Sequence, residues 1–100
     1  MNVVDSSGWI AFFQATHNGP IFKFVIEDRD ALLVPVVALY EVHKILSRQL
    51  PADTVLACLN VMRMGRVLQV TDARAIAASV AARAHSLAMA DALMYSMAQE

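Results

Sequence analysis

Short apolar runs alternate along the chain with longer stretches in which apolar residues recur every three or four positions. The runs Asn2-Val3-Val4, Leu32-Leu33-Val34 and 66–70 are bounded by turn residues or proline, which predicts three strands. The stretches between them have the period of amphipathic helices. The predicted helices cover 9–15, a segment after Gly19-Pro20, 36–50, a segment from Pro51 to a C-cap at Gly65, 72–85 and 89–99.

The helical patterns also predict which faces are buried. In the helix over 36–50 the predicted packing face is Leu39, Val42 or His43, Leu46 and Leu50. The last helix is apolar on nearly every side, so it needs cover all round. For the alanine-rich helix over 72–85 the predicted inward stripe is Ala73, Ile76, Ala77, Val80 and Ala84.

Three strands separated by helices predict an α/β fold with a mostly parallel sheet and helices on both of its faces, because parallel strands need long crossovers. The 100 residues are enough for a single domain. The chain stops in a helix at 98–100 with no following strand to cover it, so we expect this domain, 1–100, to be truncated at its C-terminus.

Composition excludes several classes of protein. With 58% hydrophobic and 17% charged residues the chain is too apolar to be disordered, and a net charge of −1 excludes nucleic-acid binding by bulk charge. Cys58 is the only cysteine, so no intrachain disulfide can form and we expect a cytoplasmic protein. No uninterrupted apolar stretch is long enough for a membrane span.

Three acidic residues follow the predicted strands or begin a helix. Asp5 follows the first strand, Glu41 lies on the helix after the second strand, and Asp91 lies in the first turn of the last helix. Ligands of open α/β sheets bind beyond the carboxyl ends of the strands. If the three carboxylates converge there, they need a cation to offset their repulsion, and oxygen ligands favour Mg²⁺ or Mn²⁺.

Each acid also has a simpler structural interpretation. Asp5 can be a turn or N-cap residue, and Asp91 can be a first-turn acid stabilised by the helix dipole. Glu41 can form a surface ion pair with Lys44, three residues later.

Other reactive residue types give weaker signals. His17, His43 and His85 have no metal-ligand spacing, and Cys58 lies in an apolar helical context typical of a core residue. Three glycines do not form a phosphate-binding loop.

Three segments together resemble the PIN-domain ribonucleases, and most closely the VapC-type toxins of bacterial toxin–antitoxin pairs. They are Asn2-Val3-Val4-Asp5-Ser6-Ser7-Gly8-Trp9-Ile10-Ala11, Leu33-Val34-Pro35 leading to Leu39-Tyr40-Glu41-Val42, and Ala90-Asp91-Ala92-Leu93. The resemblance implies a three-layer α/β/α fold in which Asp5, Glu41 and Asp91 hold Mg²⁺ or Mn²⁺, with Ser6 beside them. It also implies further strands and a fourth acid, which lie beyond the end of this chain.

The resulting hypothesis is a metal-dependent endoribonuclease toxin that cleaves RNA and binds a cognate antitoxin. Lys44 and Arg48, on the helix of Glu41, are candidates to contact RNA phosphates. Trp9, Phe12, Phe13 and the apolar last helix suggest more apolar surface than a monomer buries, so we expect a homodimer or an antitoxin complex. The alternatives are a non-catalytic PIN-like interaction module and an unrelated α/β protein that binds a small ligand.

Overall fold

A computed structural model describes residues 2–14 and 19–100, and for 19–22 the backbone only. The elements are β1 (Asn2–Val3), α1 (Ser6–Phe13), α2 (Gly19–Glu27), β2 (Leu32–Pro35), α3 (Val36–Leu46), α4 (Ala52–Met62), β3 (Arg66–Leu68), α5 (Asp72–His85) and α6 (Met89–Ala98), with a 3-10 turn over Arg29–Ala31. Every predicted element is present in the predicted order, although α3 ends at Leu46 rather than at residue 50. Ala15 and His17 lie outside the described residues. In the part of the chain described, no helix has the length and apolar character needed to cross a bilayer.

The strands form one parallel sheet in the order β1-β2-β3. Asn2 pairs with Leu32 on one side of β2, and Val34 pairs with Val67 on the other. Because β2 is the central strand, its four residues are all buried. The predicted α/β class and parallel sheet are therefore confirmed.

Alternate residues of β2 enter two separate cores. Leu32 and Val34 pack with residues from α1 to α4, whereas Leu33 packs with residues of α5 and α6. This division follows from the two-residue period of a strand, which sends neighbouring side chains to opposite faces. The sheet thus lies between two helical layers, as the three-layer prediction requires. The first core includes Trp9, Val42, Leu46, Val55 and Met62, and the second includes Leu68, Ala78, Leu93 and Met97.

The aromatic residues of α1 belong mainly to the domain's own core. Trp9 is fully buried and stacks on Phe13 at a centroid distance of 5.7 Å, while Phe12 packs edge-on against Trp9 at 6.5 Å. Phe12 and Phe13 are partly buried against the same core. The argument that these residues exceed what a monomer can bury is therefore wrong, since Trp9 needs no partner chain to cover it.

The predicted packing face of α5 is wrong, and that of α3 is right at Val42 and Leu46 but not at His43. On α5 the apolar stripe is exposed, with Ile76 and Val80 each 66% accessible, and the helix instead buries Ala78 against α6. Residues two apart on a helix point about 200° apart, so the face that packs lies opposite the predicted one. On α3 the buried residues are Ala38, Val42 and Leu46, spaced by four, which leaves the neighbouring His43 exposed.

Gly65 lies where the turn after α4 passes close to β2. Its N–H donates to the Met62 carbonyl at 3.1 Å, and a Cβ at this position would lie 3.0 Å from side-chain carbons of Leu32 and Val34. We expect Gly65→Ala to lower the free energy of unfolding by about 1 to 3 kcal/mol, because the buried strand has little room to move. Urea unfolding of Gly65→Ala and of Met64→Ala, an exposed neighbour, tests this. Equal stabilities of the two variants would contradict it.

Asp5 is the N-cap of α1, as its structural interpretation predicted. Its Oδ1 accepts the Gly8 N–H at 2.8 Å and the Ser7 hydroxyl at 3.0 Å. We expect Asp5→Ala to cost about 1 kcal/mol of stability, and Asp5→Asn much less, because an asparagine oxygen caps a helix almost as well. Thermal and urea unfolding of both variants measure the difference. An Asn variant as unstable as the Ala variant would show that the charge, not the cap, stabilises this end.

Candidate active site

Asp5, Glu41 and Asp91 line one pocket of about 500 Å³. Asp5 lies between β1 and α1, Glu41 in the middle of α3, and Asp91 in the first turn of α6. They meet because α3 packs against both α1 and α6. The three acids singled out from the sequence therefore lie around one pocket. We call it the acidic pocket; its lining consists of Asp5, Ser6, Ser7, Glu41, Ile45, Leu87, Asp91, Met94 and Tyr95.

Hydrogen bonds position two of the three carboxylates. The Ser6 hydroxyl donates to Glu41 Oε1 at 2.7 Å, a short bond that joins α1 to α3 across the pocket. Asp5 is held by the capping bonds described above. Ser6 therefore lines the pocket and orients one of its acids.

Asp91 is the least constrained of the three acids. It is exposed, and no donor among residues 2–14 and 19–100 bonds to its carboxylate. The first turn of α6 stabilises a negative charge there through the helix dipole. Asp91 thus lies where a first-turn acid is stabilised by the helix dipole, and its oxygens are available to a ligand.

Carboxylate oxygens suit a hard divalent cation, but the three acids do not lie close enough together to form a complete set of metal ligands. Within the described ranges no group of three or more His, Cys, Asp or Glu side chains lies close enough together to hold a metal ion. One oxygen of two of the acids is already bonded: Oδ1 of Asp5 accepts the Gly8 N–H, and Oε1 of Glu41 accepts the Ser6 hydroxyl. Oδ2 of Asp5 and Oε2 of Glu41 have no donor among these residues, so each acid keeps an oxygen for a ligand.

Lys44 and Arg48 lie outside the acidic pocket. Both are exposed, Lys44 on α3 and Arg48 in the turn that follows it, and the Lys44 ammonium lies 5.6 Å from the ring centroid of Tyr40. The predicted ion pair of Glu41 with Lys44 is wrong: the ion pairs found among the described residues are Lys23–Glu27 and Arg74–Glu100. Glu41 is bonded to Ser6 instead, so a surface ion pair does not explain its position.

Sequence reasoning missed the apolar part of the pocket, which consists of Ile45, Leu87, Met94 and Tyr95. A signal was available for two of these residues. Ile45 follows Glu41 by four positions and Tyr95 follows Asp91 by four, so each lies one turn from an acid on the same helical face. Leu87 lies between α5 and α6, where no periodicity could have placed it.

Among residues 2–14 and 19–100, the other reactive side chains show no catalytic arrangement. Burial raises the pKa of the Cys58 thiol, so it is protonated at neutral pH, as expected for a residue packed against the core. His43 lies 3.5 Å from the Ser47 hydroxyl on the exposed side of α3, too long for a strong hydrogen bond. His85 contacts the ring of Tyr95.

A comparison with protein families gives one match, the PIN domain, over residues 3–100. A search of curated proteins finds no matching relative. The PIN domain is generally a nuclease fold, and its nucleases act on nucleic acid and typically use divalent metal ions. The matched region includes the parallel sheet and all three acids of the pocket, and the chain belongs to the PIN domain family.

Proposed function

We propose that this protein is a Mg²⁺- or Mn²⁺-dependent endoribonuclease that hydrolyses RNA phosphodiesters, and that it acts as the toxin of a toxin–antitoxin pair. The observation that carries the proposal is the acidic pocket, where carboxylates from three elements meet in a chain of a nuclease family. The resemblance of the Asp5, Glu41 and Asp91 segments to VapC-type toxins supports the finer assignment.

Asp5, Glu41 and Asp91 are the residues that would hold the cation. A divalent cation held there would supply a Lewis acid for water and for the phosphate oxygens, and a positive charge to offset the charge that develops on the phosphate. Ser6 keeps Glu41 directed across the pocket through its 2.7 Å bond, and the Gly8 N–H fixes Asp5 at the start of α1. The exposed Asp91 can change rotamer at little cost, so the set can adjust to a ligand.

The charge of the pocket limits where RNA phosphates can bind. Its lining contains three acids and, among the described residues, no lysine, arginine or histidine. A phosphate entering without a cation is therefore repelled. Lys44 on α3 and Arg48 in the turn after it, both exposed outside the pocket, are the proposed contacts for phosphates that flank the cleaved one.

Substitution of the three pocket acids tests metal binding and cleavage. We expect Asp5→Asn, Glu41→Gln and Asp91→Asn each to weaken Mn²⁺ binding and to slow Mn²⁺-dependent RNA cleavage by at least about tenfold, because each removes a ligand charge at nearly constant volume. Isothermal titration calorimetry measures the affinity, and gel analysis of a labelled RNA measures the rate.

Asp53→Asn is the matched control for these variants. Asp53 is an exposed acid in the first turn of α4, outside the acidic pocket, where it bonds only its own helix end through the Thr54 N–H. Its substitution leaves both quantities unchanged if the proposal is right. A folded Asp5→Asn variant with undiminished Mn²⁺ affinity would instead favour a non-catalytic PIN-like interaction module.

An exposed apolar surface supports the proposed homodimer and antitoxin complex. On α5, Ile76 and Val80 lie one turn apart and are each 66% exposed, within the stripe that also contains Ala73, Ala77 and Ala84. Small residues beside two branched ones allow another helix to approach closely. This surface therefore replaces the aromatic residues of α1 as the support for association.

We expect the protein alone to be a dimer in multi-angle light scattering and the double variant Ile76→Lys, Val80→Lys to be a monomer, because two charges on this face cannot be buried. Leu56→Lys is the matched control, since Leu56 is a 53% exposed apolar residue on α4, and it should stay dimeric. An unsubstituted protein that remains monomeric at high concentration, with no partner present, would rule the homodimer out.

A further inference from the structure

The acidic pocket combines two kinds of surface. Each of two helices contributes an acid followed one turn later by an apolar residue, Glu41 and Ile45 on α3, and Asp91 and Tyr95 on α6. Leu87 and Met94 complete the apolar part. A cation alone does not require such a surface, so the apolar part calls for a ligand that has an apolar face.

Tyr95 is the aromatic residue of the pocket lining. It keeps 42% of its area exposed while lining the pocket. The imidazole of His85, at the end of α5, lies 4.9 Å from the Tyr95 ring centroid at an angle of 55°. Contact with His85 restrains the ring, which leaves a preformed aromatic surface one turn from the Asp91 carboxylate.

We propose that the apolar part of the acidic pocket is a nucleobase subsite in which Tyr95 stacks on one base of the bound nucleic acid. The inference deepens the proposed function and rests on it for the identity of the ligand. A base is uncharged and has an apolar face, so it can enter a pocket whose three acids repel phosphate. The amino groups on the edge of a base can in turn donate to pocket oxygens such as the Ser7 hydroxyl.

The subsite also selects the state of the nucleic acid. A base can lie against Tyr95 only after leaving its neighbours in the stack, which is costly in a duplex and cheap in a single strand. The pocket volume of about 500 Å³ is within the range of small-molecule sites, so it admits one nucleotide but not a paired helix. The site therefore favours an unpaired nucleotide, and stacking alone makes it tolerant of base identity.

Binding in EDTA tests the subsite without requiring cleavage. Fluorescence anisotropy compares a labelled eight-nucleotide single-stranded RNA, an otherwise identical RNA with abasic positions, and the duplex form. We expect the unsubstituted protein to bind the intact single strand at least about fivefold more tightly than the abasic or the duplex form, the low end of the effect of stacking one base. Tyr95→Ala should lose this preference, and Tyr95→Phe should keep it because the ring remains.

Tyr40→Ala is the matched control. Tyr40 and Tyr95 are the only tyrosines, and Tyr40 is 62% exposed on α3 outside the pocket lining. Its substitution should leave the preference for bases intact. The comparison of intact with abasic RNA on the unsubstituted protein needs no variant, so it decides the matter even if Tyr95→Ala fails to fold.

Several results would overturn the subsite: no binding of the intact RNA, equal affinity for intact and abasic RNA, or a loss in Tyr40→Ala as large as in Tyr95→Ala. Failure of the nuclease proposal has a different signature. In that case Mn²⁺ would produce no cleavage, while the preference for intact RNA and its dependence on the Tyr95 ring would persist in EDTA.

Discussion

The direct passage from β2 into α3 fixes the position of the candidate site. Pro35 is the last residue of the central strand and also the N-cap of α3, with φ −57° and ψ 136°, so no loop separates the two elements. Strand β2 is buried on both faces and paired on both edges, which leaves it no freedom to shift. The orientation of α3, and with it the place of Glu41, therefore follows from the packing of the sheet.

The other residues of the site are positioned by helices that pack against α3, not by segments that follow it directly in the sequence. Helix α1 packs on one part of α3 and brings Asp5 and Ser6, and α6 packs on another and brings Asp91 and Tyr95. The Ser6 to Glu41 bond is the polar link between two of these helices. Because the elements come from distant parts of the sequence, their convergence depends on the sheet order, which places β1 beside β2.

The strands and helices could be predicted from the sequence because they depend on local periodicity. The parallel sheet could be predicted because the helices between the strands are long enough to be crossovers. Proline and turn residues separated the elements but did not mark every boundary. Helix α1 begins at Ser6, three residues before its predicted start, and α3 ends at Leu46, four residues before its predicted end. The buried face of α5 was not predictable in the same way. Ala78 is smaller than Ile76 and Val80, so a hydrophobicity pattern favours the wrong side, and only the fit against α6 decides which face is covered.

For the site, sequence reasoning singled out the three acids because the predicted topology brings their elements to one edge of the sheet and because their segments together resemble one family. It missed Tyr95 because one aromatic residue in an apolar helix resembles core until its neighbours are known.

In the proposed function, the acids of the pocket carry the chemistry, and its apolar residues contribute to the affinity for RNA. With a net charge of −1, the protein gains little long-range attraction for RNA, so binding must depend on local contacts. Lys44 and Arg48 can attract flanking phosphates only outside the pocket, and inside it phosphate needs a cation. An aromatic surface one turn from Asp91 supplies an attraction that does not compete with that cation for charge. In the proposed complex, a base contact beside the acids lets a weakly charged protein hold RNA at the point where its carboxylates act.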